Sequence, residues 1–375
     1  MMIKFWSYKN EYKKYRPKLN RFFDQTLKRG QIFFGPNLKN FENKFINKYK
    51  SKYGIAVGSG TDALLISLMS INIKSGDEVI TASNTAIPTI SAIVNSGARP
   101  ILVDIKEDYL IDTDKIEKKI TKKTKAIIPV HLYGKSCDMQ KIIKIAKKYK
   151  LEVIEDCAQS QGAKLNDKFV GTFGSLGCFS FYPTKILGGY GDGGFILTNN
   201  FKLYSKIKKI RFYGIDTVNK KNKFYNKYYS NINGLNSRLD EINSKILNFK
   251  LNKIDNYIRK RRKIAEIYNK ELKNTGLKLP IINHNKFDVY HLYTIYHKKR
   301  DLIMKKLLKE KIETRVIYPF PVHKMKGYAT FFKNEKYVIS EIKSKGIFSL
   351  PLYPELRIQD INIICKKLKK ILFSI

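Results

Sequence analysis

Short apolar runs alternate with helix-like stretches through the first half of the chain, and this alternation restricts the fold more than any other feature. "YGIAVGS" (53–59), "DEVITAS" (77–83), "RPILVDI" (99–105), "KAIIPVHL" (125–132), "LEVIEDC" (151–157) and "GCFSFY" (177–182) each have the length of one strand. Between them, "GTDALLISLMSI" (60–71) sets Leu64, Leu65, Leu68 and Met69 at helical spacing. "PTISAIVNSG" (88–97) reads as a short helix ending in Gly97, and "MQKIIKIAKKYK" (139–150) as an amphipathic one. Strands that are apolar on both faces and separated by helices predict an α/β fold with a mostly parallel sheet covered on both sides.

The pattern changes after about residue 240. Residues 240–276 share one long helical periodicity, of the kind that links two domains. Beyond it, "VYHLYTIYH" (289–297) alternates like a strand and "RDLIMKKLLKEK" (300–311) is helical. The expectation is a large domain over residues 1–240 and a smaller C-terminal α+β domain over 241–375, with a linking helix at about 240–274. A chain of 375 residues with 43% hydrophobic content can bury cores of that size.

Composition narrows the partners. Cys137, Cys157, Cys178 and Cys365 show no CxxC spacing and read as buried thiols of a reducing compartment. No run approaches the roughly 20 apolar residues of a membrane span, and charges interrupt the N-terminal segment. The expectation is a cytoplasmic protein with no membrane insertion. The net charge is +41, from 73 basic and 32 acidic residues. Because the lysines are dispersed, it predicts weak, salt-screened attraction to polyanions and no specific nucleic-acid site.

Ligands of open parallel sheets bind beyond the carboxyl ends of the strands, so polar residues there are the candidates. "GSGTDAL" puts Gly60 and Thr61 at a strand-to-helix turn, where free amides and the helix dipole favour a phosphate. Ordinary capping by Thr61 or Asp62 accounts for the same residues. "EDCAQSQGA" ends a strand in Glu155 and Asp156, with Gln159 close behind. A carboxylate there is costly to bury unless paired, although a helix cap or turn is the plainer reading. "SFYPTK" sets Ser180 at a strand end and Lys185 between a proline and a glycine-rich segment. A partly buried amine has a lowered pKa and forms Schiff bases; an ordinary surface lysine is the alternative. A phosphate cradle, a buried acid and a Schiff-base lysine are together the parts of a pyridoxal 5'-phosphate (PLP) site. No His/Cys cluster has metal-ligand spacing, so no metal is expected.

"EDCAQSQGA", "SFYPTKILGGYGDGG" (180–194) and "GLNSRLDEI" (234–242), in this order, make the chain resemble the DegT-type sugar aminotransferases, PLP enzymes of fold type I. The resemblance runs from "GQIFFGPNLKNFENKF" (30–45) to "SLPLYP" (349–354). It implies that Lys185 holds the cofactor covalently and shuttles the proton, that Asp156 pairs with the pyridine nitrogen, and that Gln159 meets the phenolic oxygen. Gly60, Thr61 and Ser180 would hold the phosphate. Asn236 would reach the phosphate of a neighbouring subunit, which implies a homodimer with shared sites. Arg238 is either a substrate contact or an ion-pair partner of Asp240 and Glu241. Many members stack an aromatic residue on the cofactor ring where this chain has Ala86, so His131 or Tyr133 becomes a candidate cover or substrate contact. Tyr318 and His323, in "TRVIYPFPVHK" (314–324), are further candidate substrate contacts.

The activity implied is transfer of an amino group from glutamate to a nucleotide-linked keto sugar. In the small residue at Ala86 and in "NSRLDE" the chain resembles a subset of nucleotide-sugar 3-aminotransferases, and this resemblance implies a 3-keto sugar, expected as a 3-keto-6-deoxyhexose on dTDP, and an amino-sugar product for a surface polysaccharide or glycoside. Two alternatives stay open: a PLP-dependent sugar dehydratase or isomerase, and a non-catalytic polyanion-binding regulator. Some relatives that dehydrate carry His in place of the lysine, so Lys185 favours transamination.

Overall fold

Seven strands form the central sheet of the computed structural model, which describes residues 2–216, 229–333 and 335–375. All of the expected strands are present: β1 (Tyr53–Val57), β2 (Glu78–Ala82), β3 (Arg99–Val103), β4 (Thr124–Ile128) and β5 (Glu152–Asp156). After a small hairpin, β6 (Lys164–Leu165) and β7 (Lys168–Phe169), comes the sixth, β8 (Leu176–Ser180). The seventh is β9 (Gly194–Thr198), which follows the glycine-rich stretch. The order is β1-β9-β8-β5-β4-β2-β3, parallel from β8 through β3, with β9 antiparallel to both its neighbours. The carboxyl ends of β1, β5 and β8 therefore meet at one edge.

Strand alternation divides the buried side chains between two layers. Ile55, Val57, Val79, Cys178 and Ile196 face one core, shared with α3 (Gly60–Ser70), α4 (Ile87–Asn95) and α6 (Phe201–Ile210). Ala56, Phe179, Phe195 and Leu197 face the opposite one, against α2 (Pro36–Tyr49) and α7 (Glu241–Leu251). Helix α5 (Met139–Tyr149) covers β4 and β5 on that second side, and α1 (Lys9–Leu27) lies against α7. Polar caps fix several of the helix starts: Ser59, Asp138 and Asn200 accept backbone amides of α3, α5 and α6.

Residues 240–276, read as one helical run, form two helices. Helix α7 stops at Leu251, and α8 (Ile254–Glu271) starts after Asn252 and Lys253, with Asp255 in its first turn. Ile254 and Ile258 still pack on the core of the large sheet, whereas Ile264, Ala265 and Tyr268 belong to a separate core. That core is built on α9 (Arg300–Lys309), α11 (Ile358–Phe373) and a two-stranded ladder of β11 (Tyr293–Tyr296) with β12 (Ile347–Leu350). The short β10 (Lys286–Phe287) pairs with β6 instead. Helix α10 (Val338–Gly346) precedes β12, and Asp104 accepts the amides of Ile339 and Ser340 at its first turn, at 3.0 Å each. All four cysteines are buried and free. Among the described residues no helix is long and apolar enough to cross a membrane.

Glu241 joins two helix starts. It is the first residue of α7, and its carboxylate accepts the amides of Gly35, Asn37 and Leu38 at the head of α2, each at 2.9 Å. It is almost fully buried, so an alanine there leaves three donors without partner or water. Glu241→Ala should destabilise the fold by about 3 kcal/mol or more, with Glu241→Gln intermediate, as read by denaturant titration.

Candidate active site

A cavity of about 310 Å³ opens at the carboxyl ends of β1, β5 and β8. Gly60, Thr61, Asp156, Gln159, Ser180, Lys185 and Tyr318 all line it. The turn from β1 into α3 brings Gly60 against β8: a Cβ on Gly60 would sit 2.6 Å from that of Ser180. Gly60 and Thr61 are the first residues of α3, so their amides have no intrahelical acceptor and are free for an anion.

Asp156 ends β5 and is buried. Its Oδ2 accepts from Thr89 Oγ1 at 2.9 Å, and its Oδ1 from the Ala158 amide at 3.1 Å. Thr89 in turn lies 2.8 Å from Thr85 Oγ1. Burial raises the carboxyl above the ordinary range, and the two donors and Lys185 pull it back. Lys185 follows β8 through a turn in which its amide donates to the Tyr182 carbonyl at 2.9 Å. Among the described residues its Nζ makes no hydrogen bond or ion pair. Burial pushes this amine down to about 8, against a smaller upward pull from Asp156. Gln159 is held at both ends, its Oε1 accepting from the Tyr133 amide at 2.8 Å and its Nε2 donating to Tyr318 Oη at 3.0 Å.

Other candidates lie elsewhere. His131 is fully buried and does not line the cavity: its Nδ1 accepts from the Cys137 amide at 3.0 Å and its Nε2 donates to Glu155 at 3.0 Å. Strand alternation turns Glu155 away from Asp156, and its carboxylate also accepts the amides of Gly171, Phe173 and Gly174. Glu155, His131 and Cys157 each bring an atom within 4.8 Å of the others. The histidine has no lone pair to spare, however, and burial holds Cys157 as the protonated thiol. Tyr133 is buried with its hydroxyl on the Ile317 carbonyl at 2.6 Å. His323 is buried with Nε2 2.9 Å from Glu341, outside the cavity wall. Neither His131 nor Tyr133 therefore covers a ring in the cavity.

Asn236 is exposed, away from this chain's own cavity, and bridges to Phe212. Arg238 does not pair with Asp240 or Glu241; Asp240 caps α7, Glu241 caps α2, and the guanidinium lies 4.4 Å over the Phe33 ring. Sequence reasoning missed Thr89, Asp192 and Ile87, which reach the site only because α4 and the glycine-rich loop fold against it. The proline–threonine start of α4 was the one local signal for Thr89.

These groups fit PLP. The paired α3 amides with Ser180 suit a phosphate, Asp156 with its two donors suits a protonated ring nitrogen, and the unpartnered Lys185 amine suits the aldehyde.

Comparisons agree with the geometry. Residues 14–369 match the DegT/DnrJ/EryC1/StrS aminotransferase family. A dTDP-3-amino-3,6-dideoxy-alpha-D-galactopyranose transaminase from Aneurinibacillus thermoaerophilus is 40% identical, covering 96% of this chain and 97% of its own. A dTDP-3-amino-3,4,6-trideoxy-alpha-D-glucose transaminase from Micromonospora megalomicea subsp. nigra is 38% identical over 94% of each. The crystal structure of S. venezuelae DesV in complex with a ketimine intermediate superimposes with a TM-score of 0.93 at 32% identity, covering 99% of this chain and 98% of that one. The chain belongs to the DegT/DnrJ/EryC1/StrS aminotransferase family, whose members are PLP-dependent sugar aminotransferases.

Proposed function

We propose that the enzyme moves an amino group from glutamate to a 3-keto-6-deoxyhexose carried on dTDP, making an amino sugar for a surface polysaccharide or glycoside. The observation that carries this is the placement of Lys185 and Asp156 in one cavity, in a chain with relatives at 38% and 40% identity that are named for 3-amino sugars on dTDP. PLP, when bound, supplies an electron sink for charge developing at the substrate carbon. Asp156 would hold a proton at the ring nitrogen. Lys185 Nζ, with its affinity for protons lowered by burial, would take a proton from the donor's carbon and return one to the sugar carbon. Gly60, Thr61 and Ser180 would bind the phosphate, and Gln159, braced by Tyr133 and Tyr318, would orient the ring.

The reading includes a homodimer in the cytoplasm. The exposed position of Asn236 supports a role at a partner's phosphate, and four reduced, buried cysteines suit a reducing compartment. Mixing Lys185→Ala protomers with Asn236→Ala protomers should then regain activity above either parent; no gain over the parents in a mixture shown to exchange subunits would sink the shared site.

Lys185→Ala should lose the visible absorbance of the lysine-bound cofactor and about 10²–10⁴-fold or more of turnover, measured as 2-oxoglutarate released per amino sugar formed. A dehydratase or isomerase would release no stoichiometric 2-oxoglutarate.

Thr89 gives a prediction with a sign. Its hydroxyl stabilises the ionised Asp156, so Thr89→Val should raise that carboxyl further. The acidic limb of the kcat/KM profile should move to higher pH, with a loss of about tenfold at pH 7, the worth of one hydrogen bond to a charged group.

A further inference from the structure

Lys185 has two surroundings. In front it lines the cavity described above; behind, it forms part of the wall of a narrow space of about 20 Å³. A volume of that order takes one water and no larger ligand. The rear walls converge from distant parts of the sequence: Trp6, Tyr8 and Glu11 from the N-terminal segment, Tyr190 from the lysine's own loop, and Lys250 and Arg261 from α7 and α8.

The N-terminal segment is fastened on both sides of this space. On one side Ile3 donates to the Lys311 carbonyl at 2.8 Å and Phe5 to Glu313 Oε2 at 3.1 Å. On the other, Glu11 pairs with Lys250 Nζ at 2.6 Å and accepts from the Tyr190 hydroxyl at 2.9 Å. The Glu11 and Lys250 side chains are only 12% and 7% exposed, so loss of either strands a poorly solvated charge. The Tyr8 ring stands between those of Trp6 and Tyr190, with centroids 5.4 and 6.0 Å away. The turn from Lys185 to Tyr190 is tight: the Gly189 amide donates to the Phe181 carbonyl at 2.8 Å, and a Cβ on Gly189 would meet Asn243 at 2.2 Å. A restraint on Tyr190 is thereby a restraint on Lys185.

We propose that the segment Trp6–Glu11 seals the rear of Lys185 against solvent, and that Glu11 is a positioning residue for amino transfer, acting on Lys185 through Tyr190. The proposal rests on Lys185 as the reacting lysine. Desolvation is the main cause of its weakened basicity, so an opened rear wall would restore solvent and basicity together. The ionisable groups in front of the amine are Asp156, Tyr182, Asp192 and Tyr318. Behind it are Tyr8, Glu11, Tyr190, Lys250, Tyr257, Arg261 and Glu355. His291, kept neutral by burial and by the positive charges of Lys185 and Arg261, is also close. Because Glu11 and Lys250 cancel, removing both opens the wall without changing the net charge.

The test is competitive labelling of amines in the cofactor-free protein across pH, with the Lys185 peptide read by mass spectrometry. The wild-type midpoint for Lys185 should lie near 8. In Glu11→Ala/Lys250→Ala it should rise by about one pH unit toward an ordinary lysine, and in Tyr190→Phe, which keeps every charge and the ring, by about half as much. Exposed lysines should not move. Midpoints for Lys185 within ~0.2 pH unit of wild type in the folded variants would overturn the proposal. Should the double variant not fold, Tyr190→Phe decides alone. The measurement needs neither cofactor nor turnover, so such a result would remove the seal and leave the aminotransferase reading standing.

Discussion

Asp156 and Lys185 are groups of opposite charge placed in one cavity, and the surrounding structure is arranged around that placement. Burial alone drives both toward neutrality, raising the carboxyl and lowering the amine. The protein treats the two unequally. Asp156 receives a hydroxyl and a backbone amide, whereas the Lys185 amine receives no hydrogen bond among the described residues. The donors favour the ionised acid against its burial, the form that would keep a proton on a ring nitrogen. The bare amine stays available for bond formation and proton transfer. Parallel pairing of β5 with β8 puts both groups at the same sheet edge, and the antiparallel β9 returns the chain beneath the lysine loop.

Neighbouring carboxylates show how one strand separates structure from chemistry. Glu155 and Asp156 are adjacent, yet the pleat sends them to opposite faces. Glu155 becomes a fully buried acceptor that ties His131 and three loop amides to β5. Asp156 remains beside the cavity. Glu241 plays a similar structural part, with one carboxylate at the starts of two helices. A motif that reads as a chemical signature is thus partly a set of helix and loop anchors.

The strands were legible because a strand buried on both faces needs a continuous apolar run, and few other elements of that length do. Helix α1 was not, since of its residues only Phe22 and Thr26 are buried and the rest are largely polar. Strand β9 was hidden by the glycines before it. The division into α7 and α8 was also hidden, because both helices keep apolar residues in phase while serving different cores. At the site, residues at strand ends or on the following turn were readable: Gly60, Thr61, Asp156, Ser180 and Lys185 all reach the cavity. His131, Tyr133 and His323 were not distinguishable from ligands in sequence. Internal partners hold His131 at both ring nitrogens, Tyr133 at its hydroxyl and His323 at Nε2, and only the folded chain shows which partners those are.

The question raised by Ala86 has a physical answer in the cavity wall. His131 and Tyr133 do not line the cavity, and its wall includes, besides Ala86, the apolar residues Leu64, Ile87, Pro88 and Val130. Such a surface holds a flat ring by dispersion and exclusion of water, without the fixed geometry that aromatic stacking imposes. Tyr182 and Tyr318 are the aromatic members of the wall, and Tyr318 is already committed to Gln159. Replacing a stacked aromatic ring by a methyl group also leaves volume beside the reacting amine.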